Sequence, residues 1–187
     1  MRKLVLTAFM SLDGVIDEPG DWQGSMFDDD STRLVRERIL RTDVVLLGRG
    51  TYDVFAGAWP SAPSDPFVDR INALPKYVAS TTLEKAEWNN STIIAEDVER
   101  RVAELKEEDG GDILVYGVGS LAHSLLRANL VDELEIWVHP VLLGKPEPAG
   151  LLVREGSRSA LKLTSTEITA SGIIVSCYAV EKDSNLE

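Results

Sequence analysis

The chain has 187 residues, 44% of them apolar, and a net charge of −12. That is enough apolar chain for one buried core, and the acidic balance excludes nonspecific binding to nucleic acid or an anionic membrane. No apolar run reaches the roughly 20 residues of a membrane span. The short run Leu4 to Met10 after Met1-Arg2-Lys3 ends at Ser11-Leu12-Asp13-Gly14, without a small-residue cleavage site. A cytoplasmic protein is expected. Cys177 is the single cysteine, and His123 and His139 are the only histidines. No disulfide, thiolate zinc site or other metal centre is therefore expected.

Lys3 to Met10 predicts a first strand, followed by a long loop from Ser11 to Gly24. Asp28-Asp29-Asp30-Ser31 supplies N-caps for a helix with Leu34, Val35 and Ile39 on one face. Asp43 to Leu47 is a buried strand broken by Gly48-Arg49-Gly50-Thr51, with Thr51 as cap of the next helix. Asp65-Pro66 opens another helix. Tyr77 to Ser80 and Thr92 to Ala95 are strands, and Asp97 caps a helix ended by Asp109-Gly110-Gly111. Ile113 to Tyr116 is a strand leading through Gly117 and Gly119 into a helix with Leu121, Leu125 and Leu126 at helical spacing, and His123 on its exposed side. Glu133 to Leu143 is a long strand and Gly144 to Gly156 a loop. Leu161 to Ile168 and Ile173 to Val180 form an antiparallel pair, and residues 182–187 form a tail. Residues 1–181 are expected to be one domain. The alternation of strands and helices predicts a three-layer α/β fold with a mostly parallel sheet and an antiparallel C-terminal hairpin.

Three strand ends share a chemical character. Gly48-Arg49-Gly50-Thr51, Ser80-Thr81-Thr82 and Gly117-Val118-Gly119-Ser120 offer backbone N–H groups, hydroxyls and a guanidinium. On one edge of a parallel sheet they would suit a ligand with several phosphates, such as a dinucleotide. A Rossmann-type NADH binder is the alternative, because Gly117 to Ala122 fits G-x-G-x-x-A. That fold places an acid at the end of the next strand, whereas Glu133 and Glu135 fall at its start and middle.

The motifs Ser11-Leu12-Asp13-Gly14-Val15-Ile16, Leu46-Leu47-Gly48-Arg49-Gly50-Thr51-Tyr52 and Val115-Tyr116-Gly117-Val118-Gly119-Ser120-Leu121 occur in an order that resembles a known family. Leu130-Val131-Asp132-Glu133-Leu134 and Pro140-Val141-Leu142-Leu143-Gly144 complete the pattern. It is similar to the dihydrofolate reductase-like superfamily, in particular the C-terminal reductase domain of the bifunctional deaminase-reductase of riboflavin biosynthesis. The resemblance implies NADPH as hydride donor. It implies that Gly48, Arg49, Gly50 and Thr51 hold the phosphates from one side, and Gly117, Val118, Gly119, Ser120 and Leu121 from the other. Ser80 and Thr81 would meet the adenosine ribose, Ile16 would close over the nicotinamide, and Tyr116 would stand between nicotinamide and substrate.

The substrate implied is a small heterocycle, pterin-like or pyrimidine-like. Asp13 and Trp22 are candidate substrate contacts, and Asp28 and Asp30 are candidate acids or simply helix caps. A non-catalytic nucleotide-binding module of the same fold is the other alternative. The exposed terminal hairpin edge makes a homodimer an expected assembly.

Overall fold

The computed structural model describes residues 1–144 and 159–181, apart from the Ser25 side chain. The predicted tail and nearly all of the Gly144 to Gly156 loop lie outside the described residues. Eight strands form one sheet: β1 (Leu4–Ser11), β2 (Thr42–Gly48), β3 (Lys76–Ala79), β4 (Ser91–Ile94), β5 (Asp112–Tyr116), β6 (Glu133–His139), β7 (Ala160–Ile168) and β8 (Ile174–Glu181). Their order is β4-β3-β2-β5-β1-β6-β8-β7. The pairs from β4 to β6 are parallel, and β6–β8 and β8–β7 are antiparallel. This is the predicted fold class. The order also differs from the 3-2-1-4-5-6 of a Rossmann unit, which removes that alternative.

Among the described residues six α-helices surround the sheet: α1 (Pro19–Trp22), α2 (Asp29–Leu40), α3 (Arg49–Ala58), α4 (Pro66–Ala73), α5 (Val98–Glu107) and α6 (Ser120–Arg127). One face of the sheet carries Leu4, Leu6, Ile113, Val115, Leu134 and Ile136, packed with residues of α5 and α6. The other carries Val5, Val45, Leu47 and Leu114, packed with Ile39 of α2, Tyr52 of α3 and Ile71 of α4. Strands buried on both faces read as continuous apolar runs, which is why β1, β2 and β5 were legible.

Several local expectations are corrected. The long strand stops at His139, with Val141 N–H donating to His139 O at 2.8 Å, instead of continuing to Leu143. Helix α3 starts at Arg49 with Gly48 as its cap, so Thr51 lies inside it. Asp97 sits before α5 in a left-handed conformation, φ 51°, and its side chain makes no capping bond. His123 is buried, because α6 is covered on the flank bearing His123 as well as along Ala122 and Leu125.

Candidate functional site

The C-terminal ends of β2 and β5 are neighbours, with Leu46 opposite Val115. Their following helices leave on opposite faces of the sheet, so the N-termini of α3 and α6 approach one cleft from two sides. A Cβ built on Gly48 would lie 3.9 Å from Leu121 Cβ, and one on Gly117 would lie 3.6 Å from Thr51 Oγ1. Gly117 has φ +82°, a conformation that favours glycine, and its N–H donates to Thr7 O at 2.8 Å. The N-caps are Gly48 and Gly119, and neither has a capping side chain. The first-turn N–H groups at the positive ends of both helix dipoles thus receive no side-chain bond from their cap residues. Gly119 and Ser120 are exposed and Val118 is buried behind them.

The third predicted segment adjoins this cleft, because Gly48 pairs with Ala79. Ser80 Oγ accepts the N–H groups of Thr82 at 3.2 Å and Leu83 at 3.0 Å, which shapes the turn. Arg49 Nε donates to both Asp53 oxygens at 2.9 and 2.8 Å, and its Nη1 reaches Thr82 Oγ1 at 3.5 Å. Thr82, which the sequence reading did not assign, thus stands beside Arg49, while Thr81 is exposed.

On the α2–α4 face, Tyr116, Thr7 and Glu135 lie in one row across β5, β1 and β6. Thr7 Oγ1 donates to Glu135 Oε1 at 3.0 Å, and Trp137 Nε1 donates to the same oxygen at 2.9 Å. Arg38 of α2 donates to Glu135 Oε2 from Nε at 2.9 Å and from Nη2 at 2.5 Å. Burial pushes the Tyr116 phenol well above its usual range, and the Glu135 charge adds to this, so the hydroxyl stays protonated. Tyr116 packs edge-on against Phe55 at 5.1 Å, which continues through Trp59 at 5.9 Å to Phe67 at 5.2 Å. Phe55 and Trp59 thus wall this row, while nothing in the sequence pattern singled out Thr7 or Glu135.

Beyond that row a second aromatic group forms. Phe9 meets Trp137 and His139, each at 5.4 Å, and Trp22 meets His139 at 5.2 Å. Trp22 Nε1 donates to Asp17 O at 2.8 Å, so the first loop is closed on itself over His139. Burial lowers the His139 pKa and favours its neutral form. Ile16 packs on the core beside Met10. Asp13 accepts from Ser11 Oγ at 2.6 Å, Gly144 N–H at 2.7 Å and Leu143 N–H at 3.1 Å, and these bonds hold its carboxyl down at about 2. Asp13 therefore pins the first loop to the segment after β6.

The two candidate acids have partners of their own. Asp28 caps α2 through Ser31 N–H at 2.8 Å and also accepts Ser171 N–H at 2.7 Å, which holds its carboxyl well below the usual range. Asp30 accepts Ala170 N–H at 3.1 Å. Both tie the start of α2 to the turn between β7 and β8. A surface cleft of about 770 Å³ between Tyr52, Asn72 and Trp88 is lined by none of the predicted site residues.

The chain matches the model of the RibD C-terminal domain over residues 2–175. The uncharacterized Bacillus subtilis (strain 168) protein YyaP is 28% identical over 183 residues, covering 95% of this chain and 94% of that protein. A pyrimidine reductase-like protein from Corynebacterium diphtheriae superposes with a TM-score of 0.71 at 14% identity, covering 97% of this chain and 93% of the other. Dihydrofolate reductase from Enterococcus faecalis, solved as a complex with NADP(H), superposes with a TM-score of 0.62 at 16% identity and 96% coverage of each chain.

Proposed function

The chain belongs to the RibD C-terminal domain family, and we propose that within it this protein is an NADPH-dependent reductase of a small heterocycle. The observation that carries the reading is the pair of glycine-capped helix N-termini that enter one cleft from opposite faces of the sheet. A Cβ built on Gly50 or Gly119 would meet nothing within 4 Å, and that open space beside the two helix starts supports a dinucleotide pyrophosphate there. Gly48, Gly50 and Thr51 would bind it from α3, and Gly117, Val118, Gly119, Ser120 and Leu121 from α6. Arg49 would meet the 2′-phosphate beside Ser80, Thr81 and Thr82. When bound, the cofactor supplies hydride from its nicotinamide ring.

The chain's own contribution is positioning and exclusion of water. Ile16 and the loop bearing Trp22 cover the nicotinamide end. Tyr116, held by Phe55 and kept protonated, offers a hydrogen-bond donor where cofactor and substrate meet. Asp13 holds the loop through Leu143 and Gly144, and so acts on the substrate region by positioning. Asp28 and Asp30 are assigned to anchoring α2, with the proton drawn from water. The same reading places the protein in the cytoplasm as a homodimer.

Titration with NADPH and NADH, followed by tryptophan fluorescence, tests the cofactor assignment. Arg49→Ala should weaken NADPH by roughly 10- to 100-fold, the equivalent of one charge-assisted bond, and NADH by no more than about threefold. Equal losses would remove Arg49 from the 2′-phosphate. Failure of either nucleotide to bind below about millimolar, some −4 kcal/mol, would remove the function. Turnover of dihydrofolate and of pyrimidine substrates then separates an enzyme from a binding module.

A further inference from the structure

Arg49 is the first residue of α3, and Asp53 follows one turn later on the same flank. Arg49 Nε lies 2.9 and 2.8 Å from the two Asp53 oxygens, and both side chains are open to solvent, at 42% and 51% exposure. Helix energetics alone do not call for this pair. A cation in the first turn opposes the helix dipole. An acid four residues after its base is the poorer of the two orders, and an exposed ion pair adds little stability. What the pair does fix is the guanidinium. Nε is committed to Asp53, and Nη1 reaches Thr82 Oγ1 at 3.5 Å, across the turn that Ser80 shapes. The Nη groups are what remains for an anion.

We propose that Asp53 sets how strongly this chain prefers NADPH over NADH, which rests on the cofactor reading above, in which Arg49 meets the 2′-phosphate. Asp53 holds Arg49 in place and, by its own charge, limits the preference that Arg49 creates. The pair carries no net charge. An arriving phosphate is drawn by the nearer Nη hydrogens and repelled by the carboxylate behind them. Coulomb energy falls with distance, so the attraction exceeds the repulsion and a preference survives. It is smaller than a lone arginine would give. NADH presents a neutral 2′-hydroxyl at the same place and feels neither force strongly. Asp53 thus acts through Arg49 as a positioning residue, remote from the nicotinamide.

The test is the ratio of NADPH to NADH affinity, from tryptophan-fluorescence titrations of the full chain and its variants, with circular dichroism to confirm folding. Asp53→Asn removes the charge but keeps an oxygen for Arg49 Nε, and should raise the ratio by roughly three- to tenfold. That gain should shrink between about 0.1 M and about 1 M salt, where the screening length falls from about 10 Å to about 3 Å. Asp53→Glu keeps the charge on the same flank and should leave the ratio within about twofold of the wild type. A ratio that Asp53→Asn leaves unchanged or lowers would overturn the role of Asp53. So would a gain that salt does not diminish, or an equal gain in Asp53→Glu. In each of these cases NADPH binding by the wild type leaves the cofactor reading standing. A wild type that binds neither nucleotide would overturn that reading, and the role of Asp53 with it.

Discussion

Arg38 supports the most demanding prediction about stability. Its side chain is 10% exposed and binds Glu135 at 2.5 Å, Glu133 at 2.9 Å and Asp112 at 3.4 Å. Glu135 is itself 5% exposed. Arg38→Met keeps most of the packing volume but leaves a buried carboxylate without its counter-ion. Breaking such a pair from one side costs about 3–5 kcal/mol. In a chain of this size each kcal/mol lowers Tm by roughly 2–4 °C, so the fall should be about 6–20 °C at neutral pH. Replacing both partners, Arg38→Met with Glu135→Leu, should recover part of that loss, since the most deeply buried carboxylate is then gone, while Glu133 and Asp112 still lose Arg38. Thermal unfolding by circular dichroism of the wild type, the two single variants and the double variant gives the four values. A single-variant fall of under about 2 °C, or a double variant as unstable as the sum of its parts, would refute the claim that Glu135 depends on Arg38.

Two further outcomes follow from the pinned carboxylates. The Asp13 carboxyl is held at about 2 against an ordinary 3.8. A folded-state value below the unfolded one contributes stability at higher pH that is lost as pH falls through that interval. Asp13→Asn should therefore flatten the Tm profile between about pH 4 and pH 2, and a profile parallel to the wild type would remove Asp13 as the latch. Asp28→Asn should lower Tm while leaving kcat on an identified substrate within about threefold, because Asp28 caps α2 and holds Ser171. A loss of about 100-fold or more, the scale of general acid catalysis, would return Asp28 to the chemistry.

The fold was legible because its central strands are short apolar runs between helices of clear period, and because glycine, Asp-Pro and Asp-rich caps mark their ends. What the sequence hid are side chains whose surroundings are distant in the chain. Lys76 shows the difficulty. It lies at the start of β3, fully buried, with Nζ donating to Asn72 O, Leu74 O and Asn89 O and standing 4.5 Å from the Trp88 ring. Three carbonyls from two separate turns replace the water an ammonium would otherwise hold, and no local pattern announces them.

The same reasoning separates the two halves of the candidate site. The proposed cofactor side is made of backbone, so its glycines sit in contiguous motifs that a sequence displays directly. The proposed substrate side is made of side chains projected from β1, β5, β6, α2 and α3, which come together only after folding. Alternation along β6 places Glu135 with Trp137 and His139, yet it cannot tell whether that face meets water or a helix. The structure puts Arg38 over it, and with that the row Tyr116–Thr7–Glu135 becomes a fixed polar floor. Asp28 and Asp30 drew attention because acids at a helix start are conspicuous in sequence. The acid nearest Tyr116 in the sheet is Glu135, already engaged by Thr7, Trp137 and Arg38. A carboxylate held by these donors orients its neighbours. In the proposed function, specificity would therefore rest on the Tyr116 hydroxyl and the aromatic walls, which would favour a flat ring over an extended or strongly anionic substrate.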